Sequence, residues 1–172
     1  MPWPARNRGR IAKKIRGEGR VAFRFEKEIE IQNSRERVWQ FLWDVDRFIT
    51  CLPGCREAAT VEAGKIYTAM MVEKVGPFRV EFPMRIEVLE SQELSSIRAQ
   101  AAGSDNRVGS RLKVELDVRL KGDGAKTLLS LGVSVDILGK LATLGHSIIK
   151  RRADQVMEEF AQAIKNRLEG AA

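Results

Sequence analysis

Cysteine, histidine and tyrosine are scarce in this 172-residue chain, with two, one and one copies. A structural zinc site takes four ligands, mostly Cys and His. Cys51, Cys55 and His146 make three in total, so no metal site is expected. A disulfide between Cys51 and Cys55 would run against the redox rule for a cytosolic protein. Both are read as reduced, with Cys55 a small buried turn residue. No stretch approaches the roughly 20 apolar residues of a membrane span, and the N-terminus lacks the apolar segment of a secretory signal. A cytoplasmic location is the default that remains. Catalytic signatures are missing too. His146 has no nucleophile in a recognisable motif to serve, and Cys55 stands in a turn rather than in an evident electropositive pocket. No catalytic residue is assigned.

What is present fits one domain with a real core: 44% hydrophobic and 31% charged residues. The net charge of +7 is unevenly placed. Residues 1–20 hold seven cations against one glutamate, and the rest of the chain holds 23 against 22. Residues 1–21 are therefore read as a basic flexible tail and 22–172 as the folded domain. The tail has two readings, a solvated segment or a contact with an anionic membrane surface through Trp3, Arg6, Arg8, Arg10, Lys13 and Lys14. The second would make the protein peripheral at the inner membrane face. Nucleic acid is an unlikely partner, because nothing after the tail interleaves cations with stacking aromatics.

Alternation of apolar and charged residues predicts strands at 23–31, 56–62, 66–75, 78–89, 94–102, 111–120 and 129–137. Pro83 cannot donate to a ladder, so its strand is expected at an edge or bulged there. Asn33 and Ser34 are N-cap candidates for a short helix carrying Val38, Phe41, Leu42 and Val45 on one face, with Glu36 as capping-box partner of Asn33. A second short turn ends at Pro53-Gly54. Residues 140–168 read as one helix about 43 Å long with an apolar stripe from Leu141 to Leu168. The fold class is α+β: a curved antiparallel sheet wrapped around a long C-terminal helix, with two short helices after the first strand.

Several motifs carry a resemblance: Val38-Trp39 with Leu42 and Asp44, Cys51-Leu52-Pro53-Gly54-Cys55, Val75-Gly76-Pro77, and Asp136 followed by Gly139-Lys140-Leu141-Ala142-Thr143-Leu144-Gly145. On these, residues 23–169 resemble the carbon monoxide dehydrogenase G-subunit family, a branch of the START-like (pollen-allergen-like, helix-grip) superfamily. The resemblance implies a non-enzymatic accessory protein of a molybdenum hydroxylase of the carbon monoxide dehydrogenase type. Such a protein would recruit the enzyme to the membrane, or house a quinone-like or polyprenyl lipid in the helix-grip cavity. Beyond such a lipid no cofactor is implied. Two alternatives stand beside this reading: a membrane and protein docking module with a filled core, and a START-like enzyme of the cyclase or hydratase kind.

The inner face supplies the candidate cavity lining: Phe41, Leu52, Pro53, Tyr67, Met71, Phe82, Met84, Ile86, Leu116, Leu131, Val133, Leu141, Leu144, Ile148, Met157 and Phe160. Flexible methionines suit adaptable binding surfaces, although an apolar face serves a filled core equally well. Tyr67 and Glu73 are the candidate polar anchors. Glu73 shares a strand face with Tyr67, Ala69, Met71 and Val75, where the family usually has an apolar residue. The cost of burying an unpaired carboxylate favours the register that leaves it in water. The two motifs are expected to form the rim of the container, with the head of the long helix close against Leu52-Pro53-Gly54-Cys55.

Overall fold

The computed structural model describes residues 19–170. Seven strands follow the alternation of the sequence: β1 (Arg20–Ile31), β2 (Cys55–Glu62), β3 (Ile66–Val75), β4 (Phe78–Gln92), β5 (Ser96–Asp105), β6 (Ser110–Gly122) and β7 (Thr127–Gly139). They form one antiparallel sheet in the order β1-β7-β6-β5-β4-β3-β2. Neighbours in sequence are neighbours in the sheet, as short connections require, except that β1 closes onto β7. Arg20 fastens that closure, donating from Nε and Nη2 to the two carboxylate oxygens of Asp136 at 2.9 and 2.7 Å. The described sheet therefore begins at Arg20.

Helices α1 (Arg35–Trp43) and α2 (Val45–Ile49) follow β1. Ser34 is the N-cap of α1, its hydroxyl accepting from the Arg37 amide at 3.3 Å. Asn33 does other work: its amide nitrogen donates to the Leu168 carbonyl at 2.7 Å, tying the start of α1 to the last turn of the C-terminal helix. The single long helix expected over 140–168 is two pieces. Residues 140–144 make a 3₁₀ turn between Gly139 (φ +92°) and Gly145 (φ +89°), and α3 runs from His146 to Gly170. Two glycines in the left-handed half of backbone space interrupt the helical path.

Pro83 is neither in an edge strand nor at a bulge. It pairs with Met70 of β3, inside the sheet. Pairing of β4 with β5 starts only at Met84, opposite Gly103, so the proline's missing donor falls just beyond the end of that ladder. Here the Asp105 carboxylate replaces a strand carbonyl, accepting from the Glu81 amide at 2.8 Å. The same carboxylate accepts from the amides of Arg107 and Val108 at 3.0 and 3.4 Å and from the Arg107 guanidinium at 3.1 Å. Asp105, expected in a loop, ends β5 and is buried.

These donors, the Glu81 amide foremost, hold the Asp105 carboxyl below its ordinary value of 3.8, against the opposing effect of burial. A carboxyl depressed in the folded state stabilises above the unfolded value, and the benefit is lost as pH falls below it. Asp105→Asn is expected to cost about 1–3 kcal/mol at pH 7 and to flatten the loss of stability below about pH 4. Urea unfolding midpoints at pH 7, 4 and 3 check both. Equal acid sensitivity in the two proteins would remove the carboxylate's assigned role.

The strand at one sheet border is irregular. β2 shifts register against β3 between Arg56 and Ala59 and again between Thr60 and Glu62, and Glu57 sits at φ +56°. Its side chains are mostly exposed.

Two hydrophobic clusters fill the space between sheet and helices. One joins α1, α2 and the C-terminal half of α3 to the sheet, with Ile31, Val38, Leu129 and Ile164 at its fully buried centre. Phe48 bridges it edge-on, 6.3 Å from the Phe41 ring and 5.5 Å from Phe160. The other gathers Phe23, Val80, Phe82, Leu112, Ile137, Leu141 and Ile149 around the N-terminal half of α3.

Candidate functional site

α3 seats mainly on β1 and β3, toward the two sides of the sheet, so the middle strands face a gap beneath it. The gap lies within the second cluster. It is a cavity of about 180 Å³, lined by apolar side chains of β1, β3, β4, β6, β7 and α3, with Leu52 from the turn after α2. Inward-facing Phe25, Met71, Val114 and Val135 stay only half-buried, marking where the helix stands off the sheet.

Six of the residues expected to line a cavity meet there: Leu52, Met71, Phe82, Val133, Leu141 and Met157. The others do not. Phe41, Leu131 and Phe160 belong to the filled cluster, and Leu116 packs against it, because α1 and α2 plug that end of the groove. Met84 is core beside the cavity, and Leu144 packs on the same cluster with its methyls near Gly76. Pro53 and Ile86 are half-buried outside the lining. Ile148, assigned to the apolar stripe, is 47% exposed, because α3 starts only at His146 and turns that position outward. Tyr67 is buried, but its hydroxyl accepts from the Gly64 amide at 2.7 Å, closing the β2–β3 turn instead of reaching the cavity. The membrane-contact candidates from Trp3 to Lys14 lie outside the described residues.

Glu73 corrects the expectation of a solvated carboxylate. It faces inward, its side chain 12% exposed, because a partner exists that the strand alone does not reveal. Arg152 of α3 forks onto it, Nε donating to Oε2 at 2.9 Å and Nη2 to Oε1 at 3.1 Å. The carboxylate in turn holds the guanidinium pKa above its ordinary value. Among the described residues, Glu73 and Arg152 are the two ionisable ones lining the cavity. Arg152 carries no signal of its own in the sequence, being one cation among many on a charged helix.

The Leu52-Pro53-Gly54-Cys55 turn backs this pair. A Cβ on Gly54 would stand 2.2 Å from the Val72 carbonyl oxygen and 3.1 Å from Glu73 Oε1, so only glycine lets the turn lie so close. The Val72 amide donates to the Gly54 carbonyl at 2.8 Å. At the head of the last helical segment Gly139 abuts Gly109 and Gly19, and Leu141 lines the cavity together with Leu52 of this turn.

Cys51 and Cys55 are free thiols. Burial, and secondarily the negative charge of Glu73, push Cys55 up to about 11. Its thiolate fraction at pH 8 is then about a hundredfold below that of a thiol at the ordinary 9.0, partly offset by greater intrinsic nucleophilicity. Alkylation of Cys55 by iodoacetamide is expected to run at least about tenfold slower than that of an accessible thiol, and Glu73→Gln should speed it. A mass-spectrometric time course decides, and reaction at the unhindered rate would contradict the burial argument.

A curved antiparallel sheet closed by a long C-terminal helix over an apolar cavity defines the START-like, helix-grip class. Solved structures of similar fold include a conserved protein from Geobacillus kaustophilus, with TM-score 0.75 and 19% identity over 85% of this chain and 95% of that one. A START superfamily protein from Mycobacterium smegmatis has TM-score 0.66 and 13% identity over 87% and 99%. The Zhui aromatase/cyclase from Streptomyces sp. R1128 has TM-score 0.59 and 12% identity over 88% and 98%. The model of the CoxG family, the G-subunit family of carbon monoxide dehydrogenase, matches residues 28–169, and the chain belongs to that family. No curated protein matches it in sequence. Among the described residues, no helix is long and apolar enough to cross a membrane.

Proposed function

We propose that this protein is a non-enzymatic carrier that holds a quinone-like or polyprenyl lipid between α3 and the sheet and serves a molybdenum hydroxylase of the carbon monoxide dehydrogenase type. The observation that carries the reading is the apolar cavity of about 180 Å³ under the helix. Apolar cavities of about 150 Å³ take up a benzene-sized molecule, so one ring fits and an isoprenoid chain would leave through the open side. Membership of a family named for carbon monoxide dehydrogenase supports the choice of enzyme partner. Native mass spectrometry with lipid extraction tests the reading. A co-purifying lipid, or uptake of added quinone, is expected. No bound lipid and no quinone binding would sink it.

One observation favours a docking module with a filled core: the cavity is smaller than the roughly 300 Å³ at which ligand pockets usually begin. Removing residues 1–18 separates the readings. For a carrier tethered by its basic tail, binding to anionic vesicles is lost and ligand capture persists. For a docking module, vesicle binding is also lost but there is no capture in either form. The cyclase reading gains little, because both ionisable residues of the cavity lining are committed to each other.

A further inference from the structure

The Glu73–Arg152 pair stands in a lining otherwise made of aliphatic, aromatic and thioether side chains. Its geometry leaves the guanidinium half employed. Nε and Nη2 serve the carboxylate, whereas Nη1 meets, among the described residues, the exposed Gln155 side chain at 3.4 Å. Arg152 therefore keeps donor capacity while its charge is cancelled.

That combination discriminates between heads of a ligand. A neutral carbonyl oxygen gains a hydrogen bond from a charged donor and adds no charge to the site. A carboxylate would bring a second negative charge beside Glu73, in surroundings that solvate it poorly. A hydrocarbon with no acceptor gains nothing from Arg152.

We infer that the Glu73–Arg152 pair is a charge filter: the cavity takes uncharged ring ligands bearing an acceptor oxygen and turns away carboxylates such as fatty acids. Arg152 is the specificity-determining donor, and Glu73 acts through it by holding the site neutral. This deepens the carrier reading and rests on it.

Three probes with the same ring and different heads separate the terms: 2-methylnaphthalene, 2-methyl-1,4-naphthoquinone and 2-naphthoate, titrated calorimetrically into the full chain at neutral pH. The naphthoquinone is expected to bind at least about tenfold tighter than naphthoate, as a hydrogen bond from a charged donor allows. Glu73→Gln, which keeps shape and removes the negative charge, should tighten naphthoate by at least about tenfold and reverse the order. The double variant Glu73→Leu with Arg152→Leu, which leaves no unpaired charge, should still take up 2-methylnaphthalene and lose its preference for the quinone over the hydrocarbon. Equal binding of all three probes by the unmodified protein overturns the filter and leaves the carrier reading standing. So does a Glu73→Gln variant, folded by circular dichroism, with unchanged naphthoate affinity. If none of the three binds, both readings fall together.

Discussion

Gly139→Ala is expected to cost at least about 4 kcal/mol, enough to unfold much of the population of a domain whose total stability is about 5–15 kcal/mol. Two effects add. The residue sits at φ +92°, ψ −151°, a region essentially reserved for glycine, where another residue stores about 1–3 kcal/mol of strain. A Cβ would also stand 2.1 Å from the Gly109 carbonyl oxygen, and backbone cannot swing away as a side-chain tip can. Nor can the strand shift. The Gly139 amide donates to the Gly19 carbonyl at 2.8 Å, the Lys140 amide to Gly109 at 3.1 Å, and the Leu141 amide to the Ser110 hydroxyl at 2.9 Å. Gly145→Ala is the control, because φ is +89° but no atom of the described residues lies within 4 Å of a Cβ there. It should cost about 1–3 kcal/mol, the strain alone. Urea unfolding of both variants decides, and equal losses would mean that the clash is relieved and contributes nothing.

Ile164→Ala comes second, with an expected loss of about 3–4 kcal/mol. The side chain is fully buried in the cluster that α1 and α2 close. Truncation removes its transfer free energy and leaves a void whose walls include the Phe160 and Leu168 turns of the same rigid helix, so collapse is limited. Because Ile164 itself does not line the cavity, although Leu52 and Met157 touch both regions, probe affinity below the unfolding transition should stay within about twofold, as for distant independent sites. Denaturant titration together with naphthoquinone binding checks the pair of outcomes. A large change in affinity would show that the filled end and the hollow end are one mechanical unit.

The sheet was largely legible from the sequence because strand alternation is a local signal. Leu112 to Leu120 and Phe78 to Val88 each announce one wet and one dry face. Strand ends were less legible. Asp105 and Ser104 look like loop residues, yet Asp105 closes β5 because its carboxylate substitutes for a carbonyl beyond Pro83. The division between core and cavity was not legible at all. Leu116 and Val114 are equivalent in pattern, and tertiary packing decides between them: Val114 borders the gap under α3, whereas Leu116 lies at the end that α1 and α2 close and packs on the filled cluster. Glu73 departs from the solvated expectation for a physical reason. The cost of burying a carboxylate depends on its partner, and that partner lies 79 residues away on another element.

The irregular border strand has a bearing on assembly. A straight, regular outer strand offers a ladder of free amides and carbonyls to any passing chain. With two slips in register, a left-handed Glu57 and charged Arg56, Glu57 and Glu62, β2 offers no such continuous template. Any chain that binds along this rim must recognise its side chains rather than extend its sheet, and a crowded solution finds no straight edge here on which to seed aggregation.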